Sequence, residues 1–424
     1  MLSRVEPLAS WYYALAWWPF ILAMDALTNA LQGHSLLWRE PRRFLALSLL
    51  SVPVWLFFEA FNLVMKNWYY VGSSPSWAAR WMGYTVCFAT VLPAIYAATE
   101  LVGALGWARE VRVRPFHVGP GLLRPLQVLG AACLALPLIL PPYAFPLVWL
   151  GVVFLVEPLN YSRGRPSILR DWEGGSMATL VRLLAGGMIC GLAWELFNIR
   201  ALSKWIYTVP FFDELKLFEM PLAGFLGFPP FAVECYVLVE FLAGARASTA
   251  PRRRNALGWA GLAAAAATCI ALFALLDRFT VNGLQPRVAD LRDLAPEEAS
   301  LLERAGVDRL DLWDLRASAG AARGVPGLSP EALGRWRQWA ALASLRGMGT
   351  GNLRLLLEAG VSDMRTLAAQ DPGDLGPRLR AIQADRSWAR QPPTDAQVKI
   401  WVRGAGRSAV GGNPVESSLK KRGG

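Results

Sequence analysis

The chain has 424 residues, 54% hydrophobic and 11% aromatic, with a mean hydropathy of +0.31 and a net charge of +11. Its apolar residues concentrate in runs of about 20, enough at 1.5 Å per residue to cover some 30 Å of hydrocarbon, so the larger part of the chain is not an ordinary soluble enzyme. Two histidines, His34 and His117, are too few for a His-ligated haem, a di-iron or copper cluster or a Ser-His-Asp triad in the membrane.

The apolar runs predict eight spanning helices, near residues 10–31, 43–65, 81–106, 125–142, 144–161, 177–199, 219–243 and 257–277. The proline cluster from Pro141 to Pro146 divides the fourth from the fifth with a tight turn. The first span carries Asp25. The second carries Glu59 and Asn62 and runs into Lys66, Trp68 and Tyr70. Pro93 and Glu100 lie in the third span, and the fourth is uncharged. Glu157 lies in the fifth; Arg182, Glu195 and Asn198 lie in the sixth, which is followed by Lys204, Trp205 and Tyr207. The seventh holds Glu234 and Glu240, and the alanine-rich eighth is suited to close helix packing.

These features occur twice. Glu59-x-Phe61-Asn62 and its Trp68 and Tyr70 return as Glu195-x-Phe197-Asn198 with Trp205 and Tyr207, the glutamates and the tryptophans at nearly equal spacing. Upstream, Trp18, Asp25, Leu27, Ser35 and Leu37 are matched by Trp149, Glu157, Leu159, Ser167 and Leu169, at a slightly shorter spacing. Downstream, the segment around Pro93 pairs loosely with that around Pro229 and Pro230. The expected fold is therefore an all-α polytopic membrane protein of two parallel four-helix repeats, residues 1–142 and 143–282.

Fourteen arginines occupy the loops after the odd-numbered spans, against five Lys and Arg in the others. The positive-inside rule then makes the odd loops cytoplasmic, as in a bacterial inner-membrane protein, and puts both termini outside. No cleavable signal peptide is expected. Most tryptophans near span ends fit interfacial anchoring. Five cysteines without C-x-x-C spacing indicate neither a disulfide framework nor zinc, and no metal or cofactor is expected.

An intramembrane carboxylate is costly, so it is a functional hypothesis by default. Asp25, Glu100, Glu157 and Glu240 lie close enough to span ends to snorkel into headgroups. Glu59 and Glu195 fit either a structural hydrogen bond or a site, and each shares a helix face with the asparagine one turn on. Glu59, Glu195 and Glu234 are the candidate acids. Asn62 and Asn198 are their candidate orienters, and Trp68, Tyr70, Trp205 and Tyr207 form an aromatic rim able to stabilise a cation.

The run from Trp194, Glu195 and Asn198 through Lys204, Trp205 and Tyr207 to Gly227, Pro230 and Glu234 resembles the integral-membrane lycopene cyclases. That resemblance implies a small membrane fold acting on an isoprenoid. The family's acidic pair is not kept, because only Glu234 follows Pro230.

After Arg278 the composition turns charged and rich in Leu, Ala and Gly. Residues 301–310 recur near 356–364, and Gly347-x-Gly349 precedes the second copy, which resembles tandem helix-hairpin-helix repeats over 283–387. The resemblance implies backbone N–H groups offered to a nucleic-acid phosphate. The acids Asp290, Asp293, Glu297, Glu298 and Glu303 offset the arginines, which favours a hairpin that binds protein or packs on itself. Residues 388–424 are expected to be disordered.

The function expected is to bind a lipid- or isoprenoid-like molecule between the repeats, with its protonation, isomerisation or cyclisation as the chemistry the acids would allow. The alternatives are a proton-coupled transporter and a non-enzymatic scaffold whose tail recruits a protein partner.

Overall fold

The computed structural model describes residues 7–209, 216–218, 220–247, 251–310, 325–389 and 391–410. The chain is mostly helical. Among the described residues, eight segments are long and apolar enough to cross a membrane: Leu8–Gln32, Pro41–Met65, Trp77–Ala104, Pro120–Ile139, Pro141–Ser162, Ala178–Arg200, Leu222–Gly244 and Ala260–Phe279. Each coincides with one of the expected apolar runs.

Helix α1 (Leu8–Gln32) stops at Gly33, whose φ of 76° lets its N–H reach Asn29 O. A short α2 (Leu36–Arg39) leads into α3 (Pro41–Met65), which opens on a proline where no intrahelical N–H partner is needed. The α1–α2 corner is held by Asp25: its carboxylate accepts Ser35 Oγ–H at 2.7 Å and the Leu37 N–H at 3.0 Å. Helices α8 (Val148–Ser162) and α9 (Ile168–Glu173) meet in the same way, Glu157 accepting Ser167 Oγ–H at 2.5 Å and the Leu169 N–H at 2.9 Å. Both acids are buried and bonded to helix starts rather than turned to headgroups. The spacing from Asp25 to Glu157 pairs Trp149 with Trp17, not with Trp18.

At the other end of α3 the chain reverses at Lys66, φ 53°, into strand β1 (Trp68–Val71). Helix α10 (Ala178–Arg200) likewise delivers β2 (Lys204–Tyr207). The two strands pair antiparallel, Trp68 with Tyr207 and Tyr70 with Trp205. A small sheet thus stands where the all-α expectation had loops, because short Trp/Tyr/Ile/Val runs suit a half-buried ladder. The remaining spans are α4 (Trp77–Phe88) continued by α5 (Val91–Ala104), α6 (Pro120–Ile139), α11 (Phe228–Ala247) and α12 (Pro251–Phe279). A two-residue pair, β3 (Lys216–Leu217) and β4 (Met220–Pro221), precedes α11.

After α12 the backbone runs along β1: Tyr70 N–H bonds to Thr280 O at 2.8 Å, and Asn282 N–H to Tyr70 O at 2.9 Å. The boundary expected near residue 283 therefore falls inside a segment hydrogen-bonded to β1 and the residues just after it.

Beyond it, α13 (Pro296–Arg304), α14 (Pro330–Ala343), α15 (Gly349–Glu358), α16 (Met364–Ala368), α17 (Pro372–Arg386) and α18 (Asp395–Val410) share a core that includes Leu302, Trp336, Leu353, Leu379 and Trp401. Helix α18 corrects the expectation of disorder from 388: Val398, Trp401 and Ala405 line one buried face at helical spacing. Residues 411–424 lie outside the described residues, as do 311–324, within the stretch expected to hold helix-hairpin-helix repeats.

Candidate functional site

The turn between α3 and β1 is built by Asn62. Its Oδ1 accepts the N–H groups of Asn67 (2.9 Å) and Trp68 (3.2 Å), and its Nδ2 donates to Trp68 O (2.9 Å). Asn198 does the same for β2, accepting Trp205 N–H at 3.1 Å and donating to Trp205 O at 3.0 Å. The asparagines, expected to orient the glutamates, clamp the strands that carry the aromatic rim, and the Asn62 side chain also interacts with Glu59.

Glu59 is fully buried behind that rim. Its Oε1 accepts from Trp55 Nε1 (3.0 Å), Trp68 Nε1 (3.0 Å) and Tyr70 Oη (2.5 Å). Glu195, equally buried, accepts from Tyr207 Oη at 2.8 Å. The second oxygen of each carboxyl has no hydrogen-bond partner. Burial first, and then the neighbouring glutamate, pushes the Tyr70 and Tyr207 hydroxyls well above their ordinary range, so each remains a donor at neutral pH.

The two glutamates are linked through aromatic rings. Trp55 and Trp194 lie 5.0 Å apart between centroids, and Trp194 and Trp205 5.8 Å. Two cavities flank this aromatic layer. The larger, about 410 Å³, is lined by Trp68, Tyr70, Trp149, Trp205, Tyr207 and Phe231 among others, with exposed Tyr143 and Leu226 at its mouth. The smaller, about 260 Å³, is lined by Tyr13, Tyr70, Tyr84, Phe88, Trp205 and Lys204. The cavities correspond: Trp11, Tyr13 and Ala14 of the smaller match Tyr143, Phe145 and Pro146 of the larger, at the spacing that separates Asp25 from Glu157. Burial, and then Arg346, holds Lys204 down at about 7.

One exchange distinguishes the two sides. Trp55 stands where α10 has Gly191, by the spacing of the two glutamates, and Val91 stands where α11 has Phe228, by the spacing of the two strands. A Cβ on Gly191 would sit 2.3 Å from the Phe228 ring. The large ring comes from α3 on one side and from α11 on the other.

The candidate acids do not line either cavity. Glu59 and Glu195 stand behind the wall, and their partners Tyr70 and Tyr207 are wall residues, Tyr70 of both cavities and Tyr207 of the larger. Glu234 is fixed elsewhere, accepting the Val152 N–H at 3.0 Å near the start of α8. Sequence reasoning missed Trp55, Trp149, Phe231 and Tyr13 as wall residues, although the matched Trp17 and Trp149 were a usable signal.

The Gly347–Gly349 turn of the tail lies against the sheet and the segment after α12. A Cβ on Gly347 would meet Ile206 at 3.0 Å and the Tyr69 hydroxyl at 3.5 Å, and one on Gly349 would meet Gly283 Cα at 2.8 Å. Ile400 of α18 packs beside Tyr69, Val71 and Ile206.

Fold and site together define a mostly helical chain with eight membrane-length helices, an aromatic double cavity at one end of them, and a helical tail packed over that end. In comparison with known families, residues 322–408 match a domain of unknown function (DUF4332). No curated protein and no solved structure matches the chain.

Proposed function

We propose that the chain is a multi-pass membrane protein made of two head-to-tail copies of a four-helix unit, and that it binds an apolar lipid- or isoprenoid-like molecule between them. The observation that carries this reading is the cavity of about 410 Å³ walled by Trp, Phe, Tyr and Pro, among them Tyr70 and Tyr207, whose hydroxyls are held by buried glutamates. Its size and make-up are those of a small-molecule site, apolar with a few placed polar groups.

Each hydroxyl donates to its glutamate, so its oxygen offers a lone pair to an alcohol or other donor on the ligand. Reversal of that bond, with the carboxyl as donor, lets the tyrosine pass a proton outward. Glu59–Tyr70 and Glu195–Tyr207 then act as relays. One dyad, its carboxyl protonated, passes a proton to a ligand double bond, and the indoles face the cation that forms. Loss of a proton from a neighbouring carbon to the other dyad's carboxylate closes the step. Asp25, Glu157 and Glu234 are bonded to helix backbones and so do not serve as free steps of a proton path. The arginine-poor end, which bears the cavities and the tail, is the outer one. The tail's partner is the chain's own sheet rather than nucleic acid.

Extraction of the purified protein and mass spectrometry of its lipids tests the reading. A neutral isoprenoid or lipid is expected at near-stoichiometric amount and is depleted in Tyr70→Phe/Tyr207→Phe protein. Recovery of the same lipids in the same amounts from that variant removes the tyrosines from the site.

A further inference from the structure

At the end of the helices away from the aromatic cavities lies a polar cavity of about 360 Å³, lined by Arg39, Arg109, Arg182, His34, Glu40 and Glu100 among others. Arg109 folds back on α5, its Nε and Nη2 reaching Gly103 O (3.5 Å) and Ala104 O (3.4 Å), and Arg182 Nε donates to Ala178 O at 3.2 Å. Among the described residues none of the three guanidinium groups has a carboxylate within ion-pair distance. Of the two lining acids, Glu40 is engaged by Arg43 at 3.3 Å.

The corresponding place in the other half is closed. There Arg43 of α3 faces Glu240 of α11 at 3.8 Å. Glu240 is the counterpart of Gly103, at the spacing that separates the two strands. Counted back from Glu59 and Glu195, Arg43 and Arg182 differ by about one helical turn on corresponding helices. Where one half has an acid opposite its arginine, the other has glycine, and a Cβ on Gly103 would come within 3.1 Å of Arg182 Nη1. The glycine makes room for the guanidinium and, among the described residues, leaves it without an ion-pair partner, although Glu100 lines the same cavity.

We propose that this cavity binds a phosphate group of net negative charge, gripped by Arg182 with Arg39 and Arg109. Guanidinium forks match phosphate oxygens in geometry and charge, and three of them without carboxylate partners at a membrane boundary favour an anion over a zwitterion. The phosphate is either the headgroup of an anionic lipid or an ion from solution. This inference does not depend on the aromatic cavities.

The test uses the full chain, purified and returned to nanodiscs, with native mass spectrometry of retained phosphatidylglycerol and phosphatidylcholine, and calorimetry with inorganic phosphate in detergent. Two variants accompany it: Gly103→Glu, which introduces the acid present at the corresponding position, and Arg182→Gln. The parent is expected to retain phosphatidylglycerol over phosphatidylcholine by about tenfold, and both variants to lose most of that preference. Binding of inorganic phosphate that disappears in both variants also supports the site and assigns the anion to solution. The proposal is overturned if Arg182→Gln, melting like the parent, binds both probes as the parent does. It is equally overturned if the parent retains the two lipids alike and binds no inorganic phosphate. Should Gly103→Glu fail to fold, Arg182→Gln alone decides.

Discussion

Tyr69 pairs with Ile206 at the centre of the β1–β2 ladder, and the two are as far apart along the chain as Trp68 is from Trp205 and Tyr70 from Tyr207. Each strand therefore meets its own counterpart in antiparallel register.

If the dyads are the reactive groups, Glu59→Gln and Glu195→Gln proteins insert and melt nearly as the parent does but lose lipid-directed activity. The amide keeps a carbonyl acceptor for Tyr70 or Tyr207 while removing the acid. Product formation from the copurified lipid is the measurement, and undiminished turnover in both variants excludes the relay.

Gly191 and Phe228 form a complementary pair, as Trp55 and Val91 do in the other half. Gly191→Ala is expected to destabilise the protein by about 1–3 kcal/mol, since the added methyl overlaps the Phe228 ring. Phe228→Val in the same protein should recover much of the loss. Thermal melting of the single and double variants checks this.

Asp25 and Glu157 are assigned to structure. Asp25→Ala and Glu157→Ala leave Ser35, Leu37, Ser167 and Leu169 without their acceptors and should each cost about 1–3 kcal/mol. Lipid retained per folded molecule should not change, and lipid analysis of the folded fraction reads this out.

Gly349 has φ 61° and faces the Gly283 backbone, so Gly349→Val strains both the hairpin and its contact with the sheet, by on the order of 2 kcal/mol. Hydrogen exchange at Tyr70 and Asn282 should then quicken, and the 280–285 segment should become a protease target. Unchanged protection there would mean that the hairpin does not hold the tail in place.

Lys204, lowered from 10.5 to about 7 by burial and then by Arg346 against the opposing pull of Glu195, binds fewer protons in the folded chain than in the unfolded one. Its contribution makes stability rise with pH between about 7 and 10.5 and adds no slope below that window. Lys204→Met should flatten the profile there, as measured by melting temperature from about pH 7 to about pH 9.

Much of the helical layout was legible because hydrophobic run length is set by local composition, and the proline cluster after Ile139 marked its own break. The duplicated Glu, Asn, Trp and Tyr were also visible, since a shared spacing needs no three-dimensional information. The roles of those residues were not. Asn62 reads equally well as a partner of Glu59 or of the next turn, and only the path of the chain after Lys66 made it a clamp on β1. Helix α18 was obscured by Pro392 and Pro393, whose breaker signal outweighed the buried stripe of Val398, Trp401 and Ala405.

By itself the sequence determined which segments are long and apolar enough to span a membrane and which residues recur between its halves, because both are properties of order along the chain. Tertiary structure alone decided that the glutamates stand behind tyrosines, that Asp25 and Glu157 are committed to helix starts, and that Arg43 meets Glu240 while Arg182 meets a glycine. A buried carboxyl is costly wherever it lies, and for Asp25, Glu59, Glu157 and Glu195 what offsets that cost is a donor from the turn or strand that follows, which only the folded path of the chain brings back to it.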